Sequence, residues 1–153
     1  MKGQDGTCYS CGQNARLESA RPDQAIWVEG GWVVAHSFNS ALPGWLVVVP
    51  LRHVESMHEL SQSEAQALGD ILRRMSAALV EVLGCLKTYV VMYAEAPGFT
   101  HLHVHVVPRA ADLPEESRGG RIFEYLHRPE DEWACQAERQ RLALLLRQAA
   151  RSA

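Results

Sequence analysis

No stretch of this sequence approaches the roughly 20 consecutive apolar residues that cross a bilayer. The longest apolar runs, Trp45 to Pro50 and Leu142 to Leu146, are short, so no membrane span is expected. The first residues, MKGQDGTCYSCG, hold no apolar core of the kind a secretory signal requires, and a cytoplasmic location is the expectation. Charge of one sign is lacking too: 15 Lys and Arg stand against 18 Asp and Glu, a formal net charge of -3. That balance supplies no broad basic field to hold a phosphate backbone, so duplex nucleic acid is not an expected partner. Internal repeats and low-complexity tracts are absent, which sets aside solenoid and fibrous architectures. Cysteine is sparse, at four residues, and in the cytosol all four should be reduced.

What is present is enough for one domain spanning residues 1–153, with 47% hydrophobic residues to build its core. QAIWVEGGWVVAHS carries β-branched and aromatic residues on both sides of Gly30-Gly31, which predicts two antiparallel strands joined by a tight turn. WLVVVP predicts a third strand closed by Pro50, which cannot donate to a ladder. Ser61, followed three positions later by Glu64, makes a capping box. The recurrence of Ala65, Leu68, Ile71, Leu72, Met75 and Leu79 behind it predicts a long helix ending at Gly84. KTYVVMYAE and HLHVHVVP read as a fourth and a fifth strand, paired antiparallel across APGF. Arg109 to Gly120 reads as a loop, and Pro129 as the opening of a C-terminal helix. The expected class is α+β: a five-stranded antiparallel sheet with one long helix and a C-terminal helix.

On a strand, His101, His103 and His105 form one row, and Leu102, Val104 and Val106 the other. The apolar row belongs to the core. Three imidazoles in register, each costly to desolvate as a cation, point to chemistry. Neutral imidazole serves as nucleophile, proton shuttle or metal ligand, and imidazolium holds phosphate.

Cys8 and Cys11 are spaced as C-x-x-C. The pair does not follow a strand and open a helix as a thioredoxin-like dithiol would, and it can be read as a plain reduced pair or as half of a tetrahedral zinc site. A zinc site needs two further ligands, for which His36, His53, His58, His101 and His127 are candidates, and spacing alone does not choose among them.

HLHVHVV resembles the H-φ-H-φ-H-φ-φ signature, φ being apolar, of the histidine triad superfamily of nucleotide hydrolases and transferases. ALPGWLVVVPLRHVESMHELS, residues 41 to 61, is similar to that family's passage from a strand toward its helix. The resemblance covers roughly residues 8 to 108, leaving 109–153 as a loop plus the C-terminal helix. It implies that His103 is the nucleophile, forming a covalent nucleotidyl-histidine at an α-phosphorus, and that His105 steadies the phosphate. It also implies a structural zinc held by Cys8, Cys11, His53 and His101, as in the zinc-carrying bacterial branch that includes diadenosine tetraphosphate hydrolase-like proteins. A homodimer formed around the long helix and the fourth strand is implied as well.

Three features depart from the family pattern. Family members usually carry Asn or Asp near the position of Ser37 to bind the ribose hydroxyls; here Ser37 is expected to bond one of them, with Asn39 nearby. The segment before the signature, APGFT, lacks the usual polar pair and offers only the Gly98 backbone and the Thr100 hydroxyl for phosphate. Trp45 stands where these proteins commonly carry a histidine after PG, and it reads as a core aromatic. The expected function is cleavage of a nucleoside phosphoramidate or dinucleoside polyphosphate. The alternative is a zinc-stabilised nucleotide-binding or interaction protein with weak or no turnover.

Overall fold

Gly30 and Gly31 sit at φ 57° and 84°, a region that a residue without a Cβ enters freely, and they make the tight turn their dipeptide predicted. The turn joins β1 (Trp27–Glu29) to β2 (Trp32–His36) in the computed structural model of the protein, which describes residues 8–153. A six-residue helix, α1 (Tyr9–Asn14), precedes them. β3 (Leu46–Pro50) lies antiparallel to β2, with Pro50 opposite Trp32 at its end.

The long helix, α2 (Gln62–Leu83), begins and ends on the signals read from the sequence. Ser61 Oγ accepts from the Glu64 backbone N–H, and the Glu64 carboxylate accepts from the Ser61 N–H at 2.7 Å. Gly84 closes the helix in the left-handed conformation. β4 (Lys87–Val91) and β5 (Val104–Arg109) follow as an antiparallel pair, with Val91 opposite His105. The strand order is β1-β2-β3-β5-β4, so the last strand inserts between the third and the fourth.

The two faces of the sheet are covered differently. Alternation sends Trp32, Val34, Leu46, Val48, Val104 and Val106 to one side. There they bury against Leu68, Ile71, Met75 and Leu79 of α2 and against Leu142 and Leu146 of α3 (Gln136–Ser152), which packs on α2. The Trp32 indole N–H reaches the Glu64 carbonyl at 2.9 Å, tying the sheet to the first turn of α2. On the other side Trp45 and Val107 pack with Leu113 and Ile122 of the segment after β5.

The structure corrects four boundaries, the first being β4, expected to run to Glu95, which ends at Val91. The β5 ladder begins at Val104, so His101 and His103 stand ahead of it, outside the ladder, where the Leu102 N–H bonds the Val54 carbonyl. Pro129 does not open the C-terminal helix. It caps a 3-10 turn, Glu130–Glu132, after which Trp133 is extended and the Ala134 N–H is committed to the Ser40 carbonyl, so α3 starts only at Gln136. The stretch expected as a loop holds a 3-10 turn, Glu115–Ser117, and leads into an eight-residue 3-10 helix, Gly119–Leu126.

Candidate functional site

Cys8 is the N-cap of α1 and its sulfur accepts from the Cys11 N–H, so the first turn of α1 turns both cysteines the same way. Two histidines meet them. His101 Nδ1 lies 3.5 Å from the sulfurs of both Cys8 and Cys11, and His53 Nδ1 lies 3.2 Å from Cys11 Sγ. One donor atom from each of the four falls within 4.8 Å of the others. Of the five histidines left open by spacing, these two are brought to the cysteines. His36 is bonded elsewhere, His58 sits in the exposed 3-10 turn Met57–Glu59, and His127 lines a cavity.

The surroundings of the cluster suit a metal. The His101 Nε2–H donates to the Pro50 carbonyl at 3.0 Å, which leaves the Nδ1 lone pair facing the sulfurs. Burial holds this ring below the ordinary histidine value, in the neutral form a metal needs. His53 Nε2 lies 3.6 Å from the Glu55 carboxylate. Burial and the Cys8 contact push the Cys11 thiol up to about 11, so a bound cation would displace a proton held there. Two thiols and two imidazoles at these separations fit a tetrahedral zinc site.

Two residues along the chain from His101 the environment changes. His103 Nδ1–H donates to the His101 carbonyl at 2.8 Å, which fixes the tautomer and leaves the Nε2 lone pair available. Its ring stands 4.9 Å from that of His105, nearly perpendicular to it. His105 is buried, and burial followed by the neighbouring His103 lowers its pKa to about 4, so it is neutral near pH 7. Both rings line a cavity of about 780 Å³ on the sheet face opposite α2.

Ser37 and Asn39 line the same cavity, joined by a 3.0 Å hydrogen bond from the serine hydroxyl to the asparagine carbonyl oxygen. The segment before the histidines contributes Tyr93, Ala94, Glu95, Ala96 and Phe99 to the wall. Gly98 and Thr100 are exposed and do not line it, and the Thr100 hydroxyl donates to the Glu55 carboxylate at 3.1 Å. The structure therefore brings His103, His105, Ser37 and Asn39 together and leaves Gly98 and Thr100 outside that group.

Sequence reasoning missed several neighbours of these residues. Trp45 is buried as expected of a core aromatic, yet its indole N–H donates to His105 Nδ1 at 3.0 Å. Phe123, from the segment after β5, stacks edge-on against both Trp45 and His105. Tyr9, carried on α1 between the two cysteines, packs with Phe38 and Phe99 at 5.1 and 5.5 Å between ring centres. Further along the cavity, buried Asp23 is paired with Arg21 at 3.2 Å and with Arg139 of α3 at 3.3 Å. The aromatic residues were visible in the sequence, but nothing local in it marked them as neighbours of the histidines.

Comparison with known proteins gives a consistent picture. The sequence matches the HIT domain family over residues 18–112. A Zn-bound histidine triad family protein from Mycobacterium smegmatis has a similar structure, at 18% identity and a TM-score of 0.67, with 96% of each chain covered. A hypothetical histidine triad nucleotide-binding protein from Sulfolobus tokodaii is similar at 14% identity and a TM-score of 0.70, with 93% of each chain covered. A histidine triad protein from Bradyrhizobium japonicum is similar at 22% identity and a TM-score of 0.67, covering 88% of this chain and 93% of its own. No curated protein matches the sequence.

Proposed function

The chain belongs to the histidine triad family, and from that premise we propose that it is a nucleotide hydrolase or nucleotidyl transferase acting at an α-phosphorus through His103. One observation carries the reading: His103 turns its Nδ1–H to the His101 carbonyl, keeps its Nε2 lone pair for the cavity, and has the neutral ring of His105 beside it. A nucleophile held in one tautomer against a neighbouring donor is the arrangement that covalent phosphoryl chemistry needs.

In the proposed reaction the His103 Nε2 lone pair forms a bond to the α-phosphorus of a nucleoside phosphoramidate or dinucleoside polyphosphate. The bond to the leaving group breaks, and the leaving group departs with the electron pair, an amine taking up a proton from solvent. Water then attacks the same phosphorus, and the bond from phosphorus to Nε2 breaks with its electron pair returning to the ring. A proton of the water passes to solvent, which releases the nucleoside monophosphate and restores His103 with its proton on Nδ1. His105 steadies the phosphoryl oxygens, while Ser37 and Asn39 reach the ribose hydroxyls. The aromatic ring set of Tyr9, Phe38 and Phe99 offers an apolar, stacking surface to the base. Glycine 98 and Thr100 would reach a phosphate only with a shift of their segment.

Zinc would be held by Cys8, Cys11, His53 and His101, and when bound it would supply a cross-link between α1 and the chain entering β5. A homodimer through α2 and β4 is part of the same reading. β4 is an edge strand, and Leu86, Val90, Met92 and Tyr93 expose apolar surface along and beside it.

The test is to trap the intermediate. Incubation with an adenosine phosphoramidate, followed by an acid-sparing quench and mass spectrometry, should show one nucleotidyl group on His103, and His103→Ala should abolish both the adduct and turnover. Nucleotide binding without adduct or turnover across phosphoramidates and dinucleoside polyphosphates would favour the second reading, a binding protein. The observation favouring that alternative is the placement of Gly98 and Thr100 away from the cavity.

A further inference from the structure

Trp45 lies one residue ahead of β3, and the register of β3 with β5 sets Val47 opposite His105. Alternation therefore sends the Trp45 and Val47 side chains to the face that carries His105. The indole is fully buried, its ring stands perpendicular to the imidazole, and its Nε1 lies 3.0 Å from His105 Nδ1. Phe123 packs edge-on against both rings, which leaves neither ring room to swing away. An indole nitrogen can only donate, so His105 Nδ1 must be the acceptor.

From this we infer that Trp45 is a positioning residue that locks His105 in the tautomer with its proton on Nε2, making the ring a fixed hydrogen-bond donor toward the cavity. A histidine bonded to Trp45 cannot take a second proton on Nδ1 without placing two donors face to face. His105 therefore does not cycle between imidazole and imidazolium while this bond stands. It presents one N–H, pre-aimed, to an anionic oxygen. No other protein group among the described residues bonds its Nε2, and no buried side-chain nitrogen among them is left without a partner, so that atom faces the open space of the cavity.

The inference rests on the proposed nucleotidyl chemistry for its consequence, since the oxygen served would be a non-bridging oxygen of the phosphoryl group attacked by His103. There the donor would gain strength as negative charge builds up in the transition state. The lock itself is a property of the folded protein and can be tested without a substrate.

The experiment has two arms on the full chain. Long-range proton–nitrogen correlation spectra of protein labelled with nitrogen-15 in histidine report which ring nitrogen carries the proton. Wild type should show His105 protonated on Nε2 alone, unchanged between about pH 8 and about pH 6. Trp45→Phe keeps an aromatic ring and removes the donor, and it should shift His105 toward a mixture of tautomers. With a nucleoside phosphoramidate as probe, the same variant should lose roughly 10-fold or more in kcat with KM within about 2-fold, the split expected when a transition-state contact is removed.

A wild-type His105 protonated on Nδ1, or a ring signature identical in wild type and Trp45→Phe, would overturn the lock. If Trp45→Phe does not fold, the wild-type spectrum still decides it. A locked His105 in a protein that turns over no nucleotide would refute the proposed function and leave the lock standing. A locked ring with full kcat in Trp45→Phe would refute its catalytic consequence.

Discussion

Acid should unfold this protein partly through His36, a histidine that belongs to neither the metal cluster nor the triad. It is buried at the end of β2, where its Nδ1–H donates to the Ser37 carbonyl at 2.8 Å and its Nε2 accepts from the Gly44 N–H at 2.8 Å. Both nitrogens are engaged in the neutral form, and a second proton on Nε2 would point at an N–H. Burial accordingly lowers its pKa from 6.5 to about 4. The unfolded chain binds that proton near 6.5 and the folded chain does not until about 4, so stability is full above the first value and falls with pH between the two. The complete interval corresponds to about 3 kcal/mol, and at about pH 5 the loss has reached about 2 kcal/mol. His36→Gln keeps an acceptor for Gly44 and cannot titrate. Urea unfolding of both proteins at a series of pH values should show the wild-type advantage shrinking by about 2 kcal/mol between about pH 8 and about pH 5. Loss of a bound metal or protonation of His105 would affect both proteins alike and cancel in the difference. Parallel stability curves would refute the reasoning.

Chelation or Cys8→Ser should remove about one zinc per chain and lower the melting temperature, since the ligands tie α1 to residues far along the chain; a metal-free protein of unchanged stability would sink the assignment. Ser61→Ala should cost about 1 kcal/mol in urea unfolding, because it removes the acceptor that caps the first turn of α2. Met75→Ala, in the fully buried contact between α2 and the sheet, should cost about 2–5 kcal/mol by the same measurement, and a loss under 1 kcal/mol would mean that the site collapses around the smaller side chain.

Local chemistry made most of the fold legible. The Gly30-Gly31 turn, the Ser61 and Glu64 capping box and the Gly84 stop each involve residues within a few positions of one another, and each is where the sequence put it. The insertion of β5 between β3 and β4 had no such signal, because both of its partners are chosen by burial of a whole face. Residues 109–120 read as a loop because the stretch is rich in Pro, Gly and charge. Yet Leu113, Ile122 and Phe123 cover the sheet face that carries the cavity, and their role exists only once the sheet is assembled. Pro129 misled for a related reason: the helix signal there is overridden by the bond from the Ala134 N–H to Ser40, at the far side of the chain.

The histidine row shows where the sequence stopped being sufficient. Alternation assigns His101, His103 and His105 to one side, but it cannot say what each presents there. That is decided by the partner of the other ring nitrogen. His101 and His103 each donate to a backbone carbonyl, of Pro50 and of His101, so each turns a lone pair outward, toward the cysteines in one case and the cavity in the other. His105 meets an indole N–H instead, so it turns an N–H outward. Identical side chains four positions apart thus acquire opposite hydrogen-bonding polarity. Two of the three partners, Pro50 and Trp45, lie at either end of the same short run, WLVVVP, 51 and 60 residues away from the histidines they set. The register that places β3 beside β5 brings both partners to the row, and a shift of one residue would turn Trp45 to the other face and leave His105 without its donor.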